Sequence, residues 1–302
     1  MAFQHEKDGS SYIGPQQHDL RFFTMPLLAP CPHGFFTRRG GVSLGAFDGL
    51  NVSSSRGDSR ENCIRNMALA GAALATVYGG SEGAGALPRH SASDGFTTVS
   101  VKTGASGDII APASRTLLMM HQVHGHRVSY ATCDAPQTDP CDGVITDDPT
   151  GMICVITADC LPILLRNEAG TLVGAVHAGW RGLLNGVVQE TIAEMASRTS
   201  GPLFAAIGPS IQQKSYEVGP EVRDAFVRSS SAFAVFFKQI QETFLFDLPG
   251  AGVHVLSSCG VTVVSGGQDT YSNAPDFFSC RRSAHQGSPL FGCNLSVIGP
   301  RS

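Results

Sequence analysis

MICVITADCLPILLRNEAGTLVGAVHAGWRG, residues 152–182, is the stretch on which the fold reading turns. Its apolar runs, Met152–Thr157, Pro162–Arg166 and Thr171–Ala178, are short and bounded by Asp, Asn, Gly or Pro. Runs of that kind, with no interposed polar face, read as strands buried on both sides. Downstream, Leu184, Val187, Val188, Ile192 and Met195 recur at helical spacing, so Leu183–Arg198 is expected to be one amphipathic helix packed on that sheet. Phe204–Ile207 reads as a further strand, Glu221–Ser229 as a helix, and Gly250–Cys259 as another helix with a weak, Gly-rich start. Upstream, Ser59 to Val77 reads as helix. Cys31–Asn51 (CPHGFFTRRGGVSLGAFDGLN) reads as a strand and hairpin whose Gly-rich turns need positive φ. Residues 79–95 have the composition of a surface loop insertion, and 104–114 of a weaker one. Residues 1–20 are polar and aperiodic and read as a frayed terminus, with order starting near Leu20. No repeat or interdomain linker interrupts 21–302, so a single α/β domain is expected.

Of 302 residues, 42% are apolar and only 15% charged, which is enough to build a large core. The formal charge of −4 comes without a basic run, which argues against nucleic-acid binding. No stretch has the length and apolarity of a membrane span, and the first 30 residues lack a signal-peptide pattern. The nine cysteines are odd in number and include no CxxC pair, so reduced thiols are expected. Together these features read as a soluble, cytoplasmic protein, self-sufficient as a monomer.

HQVHGH (His121–His126), TADCLP (Thr157–Pro162) and VHAGWRG (Val176–Gly182) carry the candidate chemistry. Cys160 follows one apolar run and His177 ends another, and strand ends are where α/β proteins place reactive groups. Adjacent strands would bring the two together, giving a thiolate beside an imidazole, suited to nucleophilic attack or metal ligation. Asp159 is harder to explain as core, because an ionised carboxylate must be paired or exposed. Two imidazole nitrogens and a thiolate form a donor set suited to Zn²⁺, with the fourth position open. Spacing does not choose among His121, His124 and His126, and Cys141 or Cys133 stand as alternative fourth ligands of a purely structural site.

HQVHG, DGVIT (Asp142–Thr146), TADCLP, GAVHAGWRG, IGPSI (Ile207–Ile211), YEVG (Tyr216–Gly219), the 33–51 segment and FFSCRR (Phe277–Arg282) together resemble the YfiH family, long labelled polyphenol oxidase or laccase-domain proteins. The resemblance spans roughly residues 30 to 298. It implies layered mixed β-sheets flanked by helices, with a site arranged like that of cysteine hydrolases. It also implies zinc held by His124, Cys160 and His177. The implied activity is phosphorolysis of adenosine, inosine, guanosine and S-methyl-5′-thioadenosine, with deamination of adenosine. The chain departs from the family pattern at Cys280, where a Tyr is usual, and at Cys293, where an Arg is usual.

Zinc with an open position supplies an activated water at neutral pH, which deamination requires. Asp159 is the candidate proton shuttle, provided the strand has ended before it. Arg38 and Arg181, inside Gly-rich motifs, are the candidate phosphate ligands. A copper polyphenol oxidase is the first rival, but ten histidines with a single HxH pair, His124–His126, do not populate a multicopper array. Cu²⁺ at the one site remains an alternative metal. A metal-free Cys160–His177 hydrolase or deamidase and a zinc-stabilised binding module complete the rivals.

Overall fold

The computed structural model describes residues 18–78, 97–103, 115–136 and 139–301. One six-stranded sheet runs in the order β3 (Thr97–Thr103), β1 (His18–Thr24), β2 (His33–Phe36), β15 (Asn294–Ile298), β7 (Gly151–Thr157), β4 (Thr116–Met119). A second runs β14 (Thr262–Ser265), β10 (Leu203–Ile207), β8 (Leu161–Asn167), β9 (Val173–Ala178), β6 (Gly143–Thr146), β5 (Val128–Tyr130). Both are mixed: β4–β7, β5–β6 and β10–β14 pair in parallel and their other pairs are antiparallel. A small third sheet joins β11 (Glu217–Val218), β13 (Thr243–Phe246) and β12 (Phe237–Ile240).

Strand alternation explains the layering. In β7, Ile153 and Val155 point between the two large sheets, while Met152 and Cys154 point to the opposite face. That face is covered by α1 (Arg60–Tyr78) through Ala70, Ala73 and Leu74. In β8 and β9, Leu164, Val173 and Ala175 face the first sheet. Leu161, Ile163, Leu165 and Val176 face α3 (Val187–Ala196), α4 (Pro220–Ser229) and α5 (Leu248–Ser258) on the far side. Each central strand therefore has two buried faces, which is why its sequence is a continuous apolar run instead of an alternating one.

Several local expectations change. The first strand starts at His18, two residues before Leu20, and pairs with β3 from that residue onward. The expected single helix over Leu183–Arg198 is two, α2 (Trp180–Leu184) and α3, because Gly186 at φ +92° turns the chain between them. The α5 helix starts at Leu248 with a firm cap, Asp247 accepting from Gly250 N–H at 2.9 Å. Beyond β2 the 31–51 segment makes an isolated Ser43–Gly49 bridge in place of a hairpin, with Gly40, Gly45 and Gly49 at positive φ. The loops expected over 79–95 and 104–114 lie outside the described residues, as do residues 1–17. All nine cysteines are free, and among the described residues no helix is long and apolar enough to cross a membrane.

His33 in β2 shows how tightly the first sheet is packed. It is 1% exposed, its Nε2 accepts from Met25 N–H at 2.8 Å, and its Nδ1 donates to the Cys31 carbonyl at 2.8 Å. Protonation at Nε2 would break the first bond. Burial accordingly lowers its pKa from 6.5 to about 4. Between those values the unfolded chain takes up a proton that the folded chain refuses. This stability is complete above pH 6.5 and is lost as pH falls toward 4, at a cost of roughly 3 kcal/mol. Urea unfolding at pH 7 and pH 4.5 should therefore show a smaller acid loss in His33→Gln than in the wild type. Equal losses would show that His33 does not titrate in this way.

Candidate metal centre

Antiparallel pairing of β8 with β9 sets Leu161 opposite Ala178 and Pro162 opposite His177. Cys160, the residue before β8, is thereby brought beside the end of β9. Proximity thus comes from β8 and not from β7, which lies in the other sheet and ends at Thr157. The chain crosses between sheets in the intervening turn, where Asp159 takes φ +98°.

The 121–125 loop supplies the third side chain and is tied down at several points. The Gln122 side chain pairs with the backbone of Ile156 in β7 through both its amide atoms, at 2.7 and 2.9 Å. His121 accepts from Cys141 N–H. Asp142, fully buried just before β6, accepts from the amides of Val123 (3.2 Å), His124 (2.9 Å) and Gly125 (2.6 Å). These bonds hold His124 at φ +61°, a conformation a histidine seldom adopts. The same carboxylate accepts from His177 Nδ1 at 2.7 Å, so one group orients both imidazoles and leaves His177 Nε2 available.

The donor atoms of His124, Cys160 and His177 all lie within 4.8 Å of one another. His124 Nε2 is 3.9 Å from Cys160 Sγ, and the two imidazole rings meet edge to face at 4.6 Å. His177 is buried, Cys160 half-buried and His124 exposed, so the cluster is open on one side. Burial opposes ionisation of Cys160, but the His177 charge and hydrogen bonding with both histidines outweigh it, and its pKa falls below the ordinary thiol range. Burial likewise disfavours charge on His177, while Cys160 and Asp142 reverse that and raise it. Burial also works to raise the Asp142 carboxyl, and the bonds from His177 and Gly125 hold it below the usual carboxylate range.

This set fits a metal. Two nitrogens and a sulfur converge, and a carboxylate backs one ligand histidine, an outer contact common at metal sites. Gly179 leaves the space: a Cβ there would lie 3.0 Å from Cys160 Sγ and 3.2 Å from His124 Cδ2. Among the described residues no fourth protein donor joins the group. Cys141 is buried elsewhere, Cys133 contacts Thr150 Oγ1, and His121 and His126 are exposed. The four-ligand structural alternative therefore has no support among these residues.

The remaining candidates are placed differently. The Asp159 carboxylate is buried and accepts from Thr270 Oγ1 and Arg281 N–H, both at 2.7 Å. The strand has ended before it, and its two oxygens tie the 270–281 region to the turn that carries Cys160. Arg181 sits in α2, exposed, with its guanidinium carbon 4.4 Å from the Trp180 ring centroid. Arg38 has separate surroundings, with its guanidinium on the Asp48 carbonyl and over the Phe278 ring. Cys280 and Cys293 are half-buried, and burial raises both thiols, Cys293 to about 12. Sequence reasoning missed the role of Asp142. The signal was available, since a carboxylate heading an apolar strand needs partners, the argument already applied to Asp159.

A family model described as "Multi-copper polyphenol oxidoreductase laccase" matches residues 32–79 and 98–300. "Purine nucleoside phosphorylase YfiH" of Escherichia coli (strain K12) is 32% identical over 252 residues, covering 83% of this chain and 88% of that protein. A "Purine nucleoside phosphorylase" of Deinococcus radiodurans is 33% identical over 283 residues, 91% of this chain and 93% of the relative. Among solved structures, Neisseria meningitidis protein NMB0706 superposes with TM-score 0.71 at 31% identity, covering 93% of this chain and 99% of that one. YlmD from Geobacillus stearothermophilus, at 24% identity, TM-score 0.73 and coverage of 92% and 94%, shares the fold.

Proposed function

The chain belongs to the family described as multi-copper polyphenol oxidoreductase laccase, and we propose that it is a zinc-dependent purine nucleoside phosphorylase of the YfiH type. The observation that carries this reading is the convergence of His124, Cys160 and His177 with Asp142 behind them. Its substrates are adenosine, inosine, guanosine and S-methyl-5′-thioadenosine with phosphate, and adenosine deamination accompanies phosphorolysis. When bound, Zn²⁺ supplies Lewis-acid polarisation at the open side of the cluster. In phosphorolysis the C1′–N9 bond breaks, its electron pair leaves with the purine, the purine takes a proton, and a phosphate oxygen bonds C1′. Arg181 offers an exposed guanidinium for the phosphate beside the cluster. Asp142 keeps the His177 Nδ1 proton in place, and so fixes which nitrogen faces the ligand. All nine thiols being free is consistent with a cytoplasmic setting.

A second reading rests on the same geometry. Cys160, His177 and Asp142 form a thiol, base and orienting carboxylate in series, the arrangement of a metal-free cysteine hydrolase. The copper-oxidase reading is weaker, because the described residues gather one three-donor cluster, with His126 outside it. Cu²⁺ on that cluster is the alternative metal.

The test is adenosine incubation with and without phosphate, on protein whose bound metals have been quantified by mass spectrometry. Stoichiometric zinc with adenine released only when phosphate is present, alongside inosine, is the expected result. Metal-free protein that leaves adenosine untouched would overturn it in favour of the hydrolase.

A further inference from the structure

A cleft of about 210 Å³ opens beside α6 (Cys280–His285), walled by Arg38, Phe278, Ser279, Arg282, Ser283 and Phe291. None of His124, Cys160 and His177 lines it. Its two arginines are fixed by carbonyl oxygens. Arg38 donates through Nε and Nη2 to Asp48 O at 3.0 and 2.7 Å, and its guanidinium lies 4.3 Å from the Phe278 ring centroid. Arg282 donates to the carbonyls of Thr270, Tyr271 and Phe277 at 2.6, 2.9 and 2.6 Å.

Carbonyls orient a guanidinium without neutralising it. Among the described residues no carboxylate stands at ion-pair distance from either arginine, whereas neighbouring Arg39 is paired with Asp276. The carboxylates that face them act from further out: Asp48 on Arg38, and Asp159 and Asp269 on Arg282. Of these, Asp159 is already bonded to Thr270 and Arg281, and Asp269 to Ser215 and Ser272. Burial lowers the pKa of both guanidinium groups, and Arg38 is lowered further by Arg282, so the two cations act on each other across the cleft. Arg56 adds a third positive charge, 4.8 Å from the Phe291 ring centroid. Two partly desolvated like charges held in fixed orientation are an arrangement that an anion relieves. The volume is below the roughly 300–1,000 Å³ of drug-sized pockets, which points to a small ligand.

We propose that this cleft is a second binding site, taking a phosphoryl dianion, as free phosphate or as a small phosphate monoester, between Arg38 and Arg282 with the Ser283 side chain on the same wall. The site requires neither a metal nor Cys160 and stands apart from the nucleoside reading. Phe291, half-buried on the same wall, offers apolar surface to whatever group an ester carries.

Calorimetric titration of the full-length protein with inorganic phosphate and with ribose 5-phosphate tests it, sulfate being the control for general anion attraction. The titrations are made on wild type, Arg181→Gln, Ser283→Glu and Arg38→Met. Saturable binding is expected in wild type and in Arg181→Gln, stronger than that of sulfate. Ser283→Glu, which sets a carboxylate between the arginines while leaving their carbonyl bonds intact, should weaken it at least about tenfold. Arg38→Met should do the same. Ribose 5-phosphate binding about tenfold tighter than phosphate would identify an ester as the ligand, and equal affinities would identify free phosphate. Absence of saturable binding up to about 10 mM, binding that Ser283→Glu leaves unchanged in a folded protein, or binding abolished by Arg181→Gln would each overturn the proposal.

Discussion

Cys160→Ala is expected to strip the bound metal and lower adenosine phosphorolysis by roughly 10³-fold or more, while leaving the protein folded. Cys160 is the thiolate of the three-donor cluster, and its loss leaves two imidazoles whose nitrogens alone make a much weaker site. The fold should tolerate the change. Cys160 is half-buried, lies outside the strands, and loses only its sulfur, so the cost is about 1 kcal/mol. Metal content by mass spectrometry, the adenosine assay and a thermal melt are read together. Zinc retained at full stoichiometry in the variant would remove Cys160 from the ligand set. Wild-type protein that is metal-free, yet loses a hydrolase activity on the same substitution, would make Cys160 a nucleophile.

Asp142→Asn is expected to weaken metal binding about 10–100-fold although residue 142 touches no metal. The carboxylate accepts from three successive amides and from His177 Nδ1. A carboxamide of the same shape offers one acceptor oxygen and turns an NH₂ group toward N–H donors. At least one of those donors is then left unsatisfied, and the burial of the site makes this expensive, about 1–3 kcal/mol of stability. Two geometric consequences follow: the His124 loop loses the anchor for its positive-φ turn, and His177 loses the acceptor that keeps its Nδ1 protonated. Competition with a chelator gives the metal affinity, and urea unfolding gives the stability. Affinity within twofold of wild type would show that Asp142 does not position the ligands.

Much of this was legible in the linear chain, and the divide has a physical basis. Burial of a strand on two faces leaves a continuous apolar run, so β7, β8 and β9 could be read directly from 152–178. The same sequence placed Cys160 and His177 at strand ends, because Asp, Pro and Gly stop such runs. The break at Gly186 was less legible, since the apolar spacing stays in phase across it and only the tertiary packing of α3 shows that the chain turns there. Partnership across the chain was not legible at all. Asp142 meets His177 from 35 residues away, and Asp159 meets Arg281 from 122. Arg38 and Arg181, alike in their Gly-rich sequence surroundings, face a cleft beside Phe278 and the ring of Trp180 respectively. Apolar patterning records which faces of an element are dry, and sequence alone therefore determined the central buried strands and set Cys160 and His177 at their ends. Hydrogen-bond partners are set by strand register and by how loops cross between sheets, and these are properties that only the assembled tertiary structure decided.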